Sequence, residues 1–187
     1  MSLKILVLAS EWFSYHGGLS TFNRYLCTHL AKNGHSITCL LPEYSEEELE
    51  DALSCEVQLI QAPDCIGLSD EAKLCLPVTL SFNPDIVLGH GHVTGPAAFA
   101  RKEFLHPNAK RIHFLHTLPE ELEWHKSHHD SDPAQRAVQK QELETRLSIS
   151  SDLAVAVGPR LERNWNIHID GISHDTVVMS SEVSLSQ

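Results

Sequence analysis

The sequence lacks the features that mark membrane, secreted or disulfide-stapled proteins. No window approaches the roughly 20 consecutive apolar residues that a membrane-spanning helix needs. The apolar run near the start covers only residues 5–9 and has no basic cluster before it, so it favours a buried first strand over a signal peptide. The five cysteines form no CxxC pair. We therefore expect no integral membrane segment, reduced cysteines and a cytoplasmic location.

Positive charge is also scarce. The chain has 14 Lys and Arg residues against 25 Asp and Glu residues, a formal net charge of −11. Nucleic acids and anionic membranes repel an acidic surface, so neither is expected as the main partner.

Several catalytic motifs are absent. The sequence contains no G-x-G-x-x-G, G-x-x-x-x-G-K-[ST], G-x-S-x-G or H-E-x-x-H. The first absence weakens a dehydrogenase interpretation, and the others remove support for a P-loop nucleotide hydrolase, an α/β-hydrolase and a zinc protease. We expect no bound cofactor.

Short apolar runs alternate with helical patterns along the chain. This alternation predicts an α/β fold with a mostly parallel, doubly wound, Rossmann-like sheet and helices on both faces. We assign residues 1–179 to this domain and 180–187 to a polar tail or the start of a linker. The apolar runs are residues 4–9, 36–41, 56–62, 85–89, 111–116, 152–157 and 176–179.

Three segments between the runs have their own predictions. Ser45 is expected to cap a helix whose acidic residues 46–51 form a solvated face. Residues 69–82 have a weak helical pattern interrupted by Pro77. Another helix is expected to begin at Thr94 and run to about His106.

Ligands of open parallel sheets bind beyond the carboxyl ends of the strands. After the first run, Gly17 and Gly18 allow close approach of backbone to a ligand, and the following helix start suits an anion or phosphate. A tight turn alone would also explain these glycines.

Two further loops carry histidine. His90 and His92 follow the fourth run, where they could bind a sugar hydroxyl, act as acid or base, or coordinate metal. No third ligand stands at a recognised spacing, so we expect no metal. His116 ends the fifth run and Thr117 follows it. Both are expected to face the cleft, although a structural role for the histidine stays open.

The order of these segments resembles family 4 of the retaining GT-B glycosyltransferases. The resemblance covers about residues 3–165 and is carried by the first strand, the glycine pair, residues 30–35, residues 84–90, residues 114–119 and residues 152–158. It implies the N-terminal, acceptor-binding domain of an enzyme that moves a sugar from a nucleotide sugar to an acceptor hydroxyl.

The resemblance also implies roles for individual residues. Gly17 and Gly18 match a loop that approaches donor or acceptor phosphate, His116 matches a histidine that contacts the donor sugar, and His90 and His92 match a cleft-lining loop. It implies no essential metal. The phosphate-binding Arg and Lys of the family belong to a C-terminal donor-binding domain, the expected partner in a longer protein. We therefore expect the isolated chain to be inactive.

Two other interpretations stay open from the sequence. A glycosyltransferase-like domain could bind a ligand or a protein without turnover, because a fold does not fix a function. A flavodoxin-like small-molecule-binding domain is the remaining alternative.

Overall fold

The computed structural model describes residues 2–15, 18–119, 132–170 and 178–180. The chain forms two compact units, Met1–Arg111 and Ile112–Gln187. Both are built from parallel strands joined by helices.

The first unit contains a parallel sheet in the order β3-β2-β1-β4. The chain moves outward from β1 to β3 and then returns to the other side of β1, so the strand order reverses between β1 and β4. The elements are β1 Lys4–Leu8, α1 Gly18–Lys32, β2 Ser36–Leu41, α2 Glu46–Ser54, β3 Val57–Gln61, α3 Asp70–Lys73, β4 Ile86–His90 and α4 Gly91–Phe104.

Helices α1 and α4 cover opposite faces of this sheet. Val7 is in register with Cys39 of β2, and the Asn23 amide of α1 reaches the Cys39 sulfur, so α1 lies on that face. Leu8 points to the other face, because side chains alternate along a strand. There it belongs to the same buried apolar cluster as Ala98 of α4.

Helix α4 begins at Gly91, three residues before the expected start at Thr94. Gly91 has a φ of 48°, in the left-handed region that glycine adopts without strain. The chain can therefore pass from β4 directly into the helix, which places His92 in its first turn.

The weak helix expected over residues 69–82 is only one turn, Asp70–Lys73. The buried Arg101 side chain of α4 donates to the carbonyl oxygens of Leu74 at 2.7 Å and Leu76 at 2.5 Å. These carbonyls are thus bonded to a distant guanidinium instead of to a continuing helix. Burial lowers the pKa of Arg101 to about 10.

The second unit has parallel strands in the order β5-β6-β7. Its elements are β5 Lys110–Leu115, whose first two residues belong to the first unit, α5 Pro133–Ile149, β6 Leu153–Ala156, α6 Pro159–Asp170 and β7 Val178–Ser180. Its core packs α6 on these strands through Leu115, Ala154, Ala156, Leu161, Trp165 and Ile169.

The α/β, Rossmann-like fold class is confirmed. The boundary at residue 179 stays a prediction, and residues 181–187 of the expected tail lie outside the described residues. Among the helices that the structure describes, none is both long and apolar enough to cross a membrane.

Candidate functional site at the β1–β4 switch point

The reversal of strand order places a crevice at the carboxyl ends of β1 and β4, where open α/β sheets bind ligands. Residues 9–15, which we term the β1–α1 loop, enter this region from β1. His90 and the start of α4 enter it from β4. Two of the loops selected from the sequence therefore lie at one crevice of the first unit.

The acidic helix α2 holds the β1–α1 loop. Trp12 is fully buried, and its indole N–H donates to the Asp51 carboxylate at 2.8 Å. The next backbone N–H, from Phe13, donates to Oε1 of Glu48 at 2.9 Å. The expectation of a wholly solvated acidic face was wrong for Glu48 and Asp51, because these two carboxylates accept hydrogen bonds from the loop.

Asp51 also joins the loop to α1. The Arg24 guanidinium contacts both carboxylate oxygens of Asp51 and lies over the Phe13 ring, 5.3 Å from its centroid. The hydrogen bond from Arg24, assisted by that from Trp12, lowers the pKa of Asp51, and Asp51 in turn raises the pKa of Arg24. Both groups therefore stay charged at neutral pH.

A carboxylate from the loop itself lies at the start of α1. Oε1 of Glu11 accepts from the Ser20 hydroxyl at 2.6 Å and from the Tyr15 backbone N–H at 3.2 Å. Negative charge is favourable at a helix N-terminus, so Glu11 already provides the kind of group that was expected from a bound phosphate.

The glycine pair is described only in part. Gly18 begins α1 and is exposed, and a Cβ built on it would meet open space. Gly17 lies outside the described residues, as does His16. The binding role of both glycines stays a prediction.

His90 and His92 do not share an environment. His90 is fully buried, and its Nε2 lies 2.9 Å from Oδ1 of Asn23 on α1. Since the amide oxygen only accepts, the imidazole Nε2 carries the proton. The His90 backbone N–H donates to the Thr94 hydroxyl at 2.8 Å, which donates to the Leu8 carbonyl at 2.9 Å.

His92 is partly exposed in the first turn of α4. Its predicted binding role is compatible with that position and is not tested by it. His90 instead joins β4 to α1 beneath the crevice. A ligand would have to reach this buried side chain to contact it, and the predicted binding role of His90 stays a prediction.

His116 and Thr117 follow β5 in the second unit. Thr117 is exposed, and the His116 ring stacks on Phe114 with centroids 6.3 Å apart. Burial lowers the pKa of His116 to about 4. The charge of Glu144 raises this pKa in part, and the charge of His113 lowers it further. The imidazole is neutral at pH 7 and so keeps one donor and one acceptor nitrogen.

A buried pair behind this position was missed by the sequence analysis. Nε2 of His113 lies 2.9 Å from Oε2 of Glu144 on α5, and both side chains are buried. The alternation of β5 could have placed His113 inward, but nothing local in the sequence identifies Glu144, 31 residues away, as its partner.

Over residues 2–15, 18–119, 132–170 and 178–180, no three His, Cys, Asp or Glu side chains form a group that could hold a metal ion. That the complete protein uses no essential metal stays a prediction. The groups that the structure describes at the crevice are hydrogen-bonding groups of the β1–α1 loop and of the first turns of α1 and α4.

A family model described as "Family 4 Glycosyltransferase in conflict systems" matches residues 6–185. The chain belongs to this family. No curated protein gives a significant sequence match.

Solved structures agree with this family in their fold. The chain is similar to sucrose-phosphate synthase from Thermosynechococcus elongatus, with a TM-score of 0.62 and 13% identity over 95% of this chain and 47% of that one. It is similar to the catalytic domain of starch synthase IV from Arabidopsis thaliana bound to ADP and acarbose, with a TM-score of 0.57 and 13% identity over 97% and 52% of the two chains.

A third similar structure is UGT2 of Phytolacca americana complexed with UDP-2fluoro-glucose and pterostilbene. Its TM-score is 0.56, at 11% identity over 98% of this chain and 54% of that one. The chain thus spans about half the length of the solved structures that it matches. At these identities the likeness establishes a shared glycosyltransferase fold.

Proposed function

We propose that this domain binds the acceptor in a retaining glycosyltransferase whose nucleotide-sugar donor is bound by a second, C-terminal domain. The family match over residues 6–185 is the observation that carries the proposal. Matches to about half of each larger structure agree with a division of the enzyme into two domains. The starch synthase was solved with ADP and acarbose and UGT2 with UDP-2fluoro-glucose, so a UDP- or ADP-sugar is the first donor class to test.

In the proposed reaction, the bond between the sugar anomeric carbon and the nucleotide phosphate breaks. A bond from the same carbon to the acceptor oxygen forms, the nucleoside diphosphate leaves with the electron pair of the broken C–O bond, and the proton of the acceptor hydroxyl passes to an oxygen of the leaving phosphate. The chemistry then depends mainly on positioning and on electrostatic stabilisation of the leaving phosphate.

This chain would contribute the positioning of the acceptor. The β1–α1 loop has its Trp12 and Phe13 donors already bonded to α2, so it needs little rearrangement to receive a ligand. His116, neutral at pH 7, is proposed to hydrogen-bond the donor sugar, with Thr117 next to it in the chain. Gly17, Gly18 and His92 of the first unit are proposed to contact the substrates at the crevice of that unit.

The reaction is tested with the protein produced from its complete natural reading frame. UDP-glucose and ADP-glucose serve as donor probes and maltotriose as a neutral acceptor probe, with release of the nucleoside diphosphate and formation of the glycosylated product measured together. We expect turnover, product with a retained anomeric configuration, and a more than tenfold lower kcat for H116A with little loss of stability. Product of inverted configuration, or H116A with equal turnover, contradicts the proposed mechanism.

The division of labour is tested on residues 1–187. Titration by NMR should show that this chain binds maltotriose and has no saturable site for UDP-glucose or ADP-glucose. Saturable binding of a nucleotide sugar by this chain would place the donor site here and contradict the proposal. Maltotriose binding by the complete protein without transfer from any donor would favour the non-catalytic binding domain.

A further inference from the structure

The acidic helix α2 has two kinds of carboxylate. Glu46, Glu47 and Glu50 are exposed, whereas Glu48 is 5% exposed and the Asp51 side chain is 23% exposed. The two less exposed carboxylates are the ones that contact the β1–α1 loop. We propose that Glu48 and Asp51 are positioning residues that fix this loop in its acceptor-binding conformation. The inference rests on the proposed function, in which the sugar acceptor binds at this loop.

Glu48 connects the loop to the beginning of α2. One carboxylate oxygen accepts from the Phe13 backbone N–H at 2.9 Å, and the other accepts from the Ser45 backbone N–H at 2.8 Å. The Ser45 hydroxyl accepts from the Glu48 N–H at 3.2 Å and completes a capping box. The carboxylate therefore cannot release Phe13 without leaving a partly buried donor unpaired.

Asp51 connects the same loop to α1. Its Oδ2 accepts from the Trp12 indole at 2.8 Å and from Nε of Arg24 at 2.8 Å. Trp12 is fully buried, so the indole N–H, the only donor of its side chain, needs an acceptor inside the protein. Asp51 is the acceptor that keeps the indole, and with it the backbone at residue 12, in one place.

These bonds hold the beginning of the loop, and the residues that follow it face solvent. Three residues beyond Trp12, the Tyr15 ring is 69% exposed, and its backbone N–H is bonded to Glu11. The loop thus has an anchored beginning and an exposed segment next to the crevice. Holding it in one conformation lowers the ordering cost of binding, so the two carboxylates should affect acceptor affinity more than donor use.

The positioning role is tested first on residues 1–187, without any ligand. The probe is the Trp12 indole N–H resonance, assigned with W12F, and the Trp165 indole of the second unit is the internal reference. We expect D51A to shift the Trp12 resonance and to speed its hydrogen exchange at least tenfold. D51N, which retains a carbonyl acceptor for the indole, should restore much of the protection.

The matched control is E50A, which removes an exposed carboxylate from the same helix. For the buried position, E48Q is compared with E48A. Because Gln offers one acceptor oxygen for two N–H groups, the Trp12 resonance and exchange rate in E48Q should lie between those of the parent protein and E48A. E48Q also keeps the test available if E48A fails to fold.

The functional readout uses the complete protein with UDP-glucose and maltotriose. D51A should raise the KM for maltotriose at least fivefold, while the rate of donor hydrolysis by water and the KM for UDP-glucose change less than twofold. E50A should match the parent protein, and D51N should lie between D51A and the parent.

Two results would overturn the positioning role. One is a Trp12 resonance and exchange rate in D51A equal to those in E50A, and the other is an equal loss of hydrolysis and transfer in D51A. Absence of turnover in the parent protein would instead refute the proposed function, while the NMR comparison would still decide whether α2 positions the loop.

Discussion

The Nε2 atom of His90, at the end of β4, lies 2.9 Å from Oδ1 of Asn23 on α1. Both side chains are fully buried. The bond joins β4 to α1, the helix that follows β1. A buried polar pair therefore joins β4 to α1 beneath the crevice.

Replacing Asn23 by Ala should leave the His90 N–H buried without this acceptor. We expect N23A to lower the free energy of unfolding by about 1–3 kcal/mol, the usual cost of an unsatisfied buried polar group. Urea unfolding measures the change. N33A at the exposed end of α1 is the control, and its effect should stay below about 1 kcal/mol because water can replace its bond. Equal effects of the two substitutions would show that the buried bond contributes little.

The sequence could predict the strands and most helices because these depend on local patterns. The runs in β1, β2 and β4 are mostly apolar, and each strand is buried after its first residue, as strands covered on both faces are. Strand alternation also explains His90. Leu88 is in register with Val7, so His90, two residues on, points to the face that α1 covers.

The missed features depend on partners far away in the sequence. Asp51 is 39 residues from Trp12, and Arg101 is 27 residues from Leu74. No local pattern distinguishes Asp51 from the exposed Glu50 beside it. The hydrogen bonds of the site could therefore be seen only in the structure. The alternation of strands and helices, in contrast, already predicted that the candidate loops follow the carboxyl ends of the strands.

Close packing of β4 on α4 predicts a large effect at Gly89. A Cβ at this position would lie 2.6 Å from the Ala98 Cβ and 3.0 Å from the Thr94 carbonyl oxygen. We expect G89A to lower the free energy of unfolding by about 1–3 kcal/mol, as overpacked cores do. The G89A/A98G double variant should recover part of the loss, because it removes the closest of these contacts and leaves the Thr94 carbonyl in place. Because glycine at position 98 itself weakens the helix, the effect of G89A is measured in the A98G background and in the parent protein, and equal effects in both would mean that the clash with Ala98 is not the cause.

The lowered pKa of His116 predicts a pH-dependent stability. The unfolded imidazole binds its proton near pH 6.5, whereas the folded one binds it near pH 4. Between these values the unfolded chain holds more protons, so the free energy of unfolding falls as the pH falls, by up to about 3 kcal/mol from this group. Above pH 6.5 the contribution is constant.

H116Q removes this titration. Urea unfolding of both proteins between about pH 7.5 and about pH 4 gives the difference in stability at each pH. The free energy of unfolding of the parent protein relative to that of H116Q should fall steadily below pH 6.5. A difference that does not vary with pH would show that folding leaves the His116 pKa near its ordinary value.

The start of α1 offers a substitution that separates binding from folding. Gly18 is the first residue of the helix, its φ is not in the left-handed region, and an added Cβ would meet open space. G18A should therefore keep the free energy of unfolding within about 1 kcal/mol of the parent value, with a small gain from the lower entropy of the unfolded chain. Any functional effect then comes from the space that the methyl group takes from a ligand.

In the complete protein we expect G18A to raise the KM for maltotriose or UDP-glucose about tenfold, a loss of about 1.4 kcal/mol in binding free energy. The substrate whose KM rises identifies which ligand approaches the helix start. Glu11 already places a carboxylate next to Ser20 there, and a phosphate would be repelled by it, so we expect the larger change for the neutral maltotriose. Unchanged KM values for both substrates would restrict Gly18 to a role in the turn.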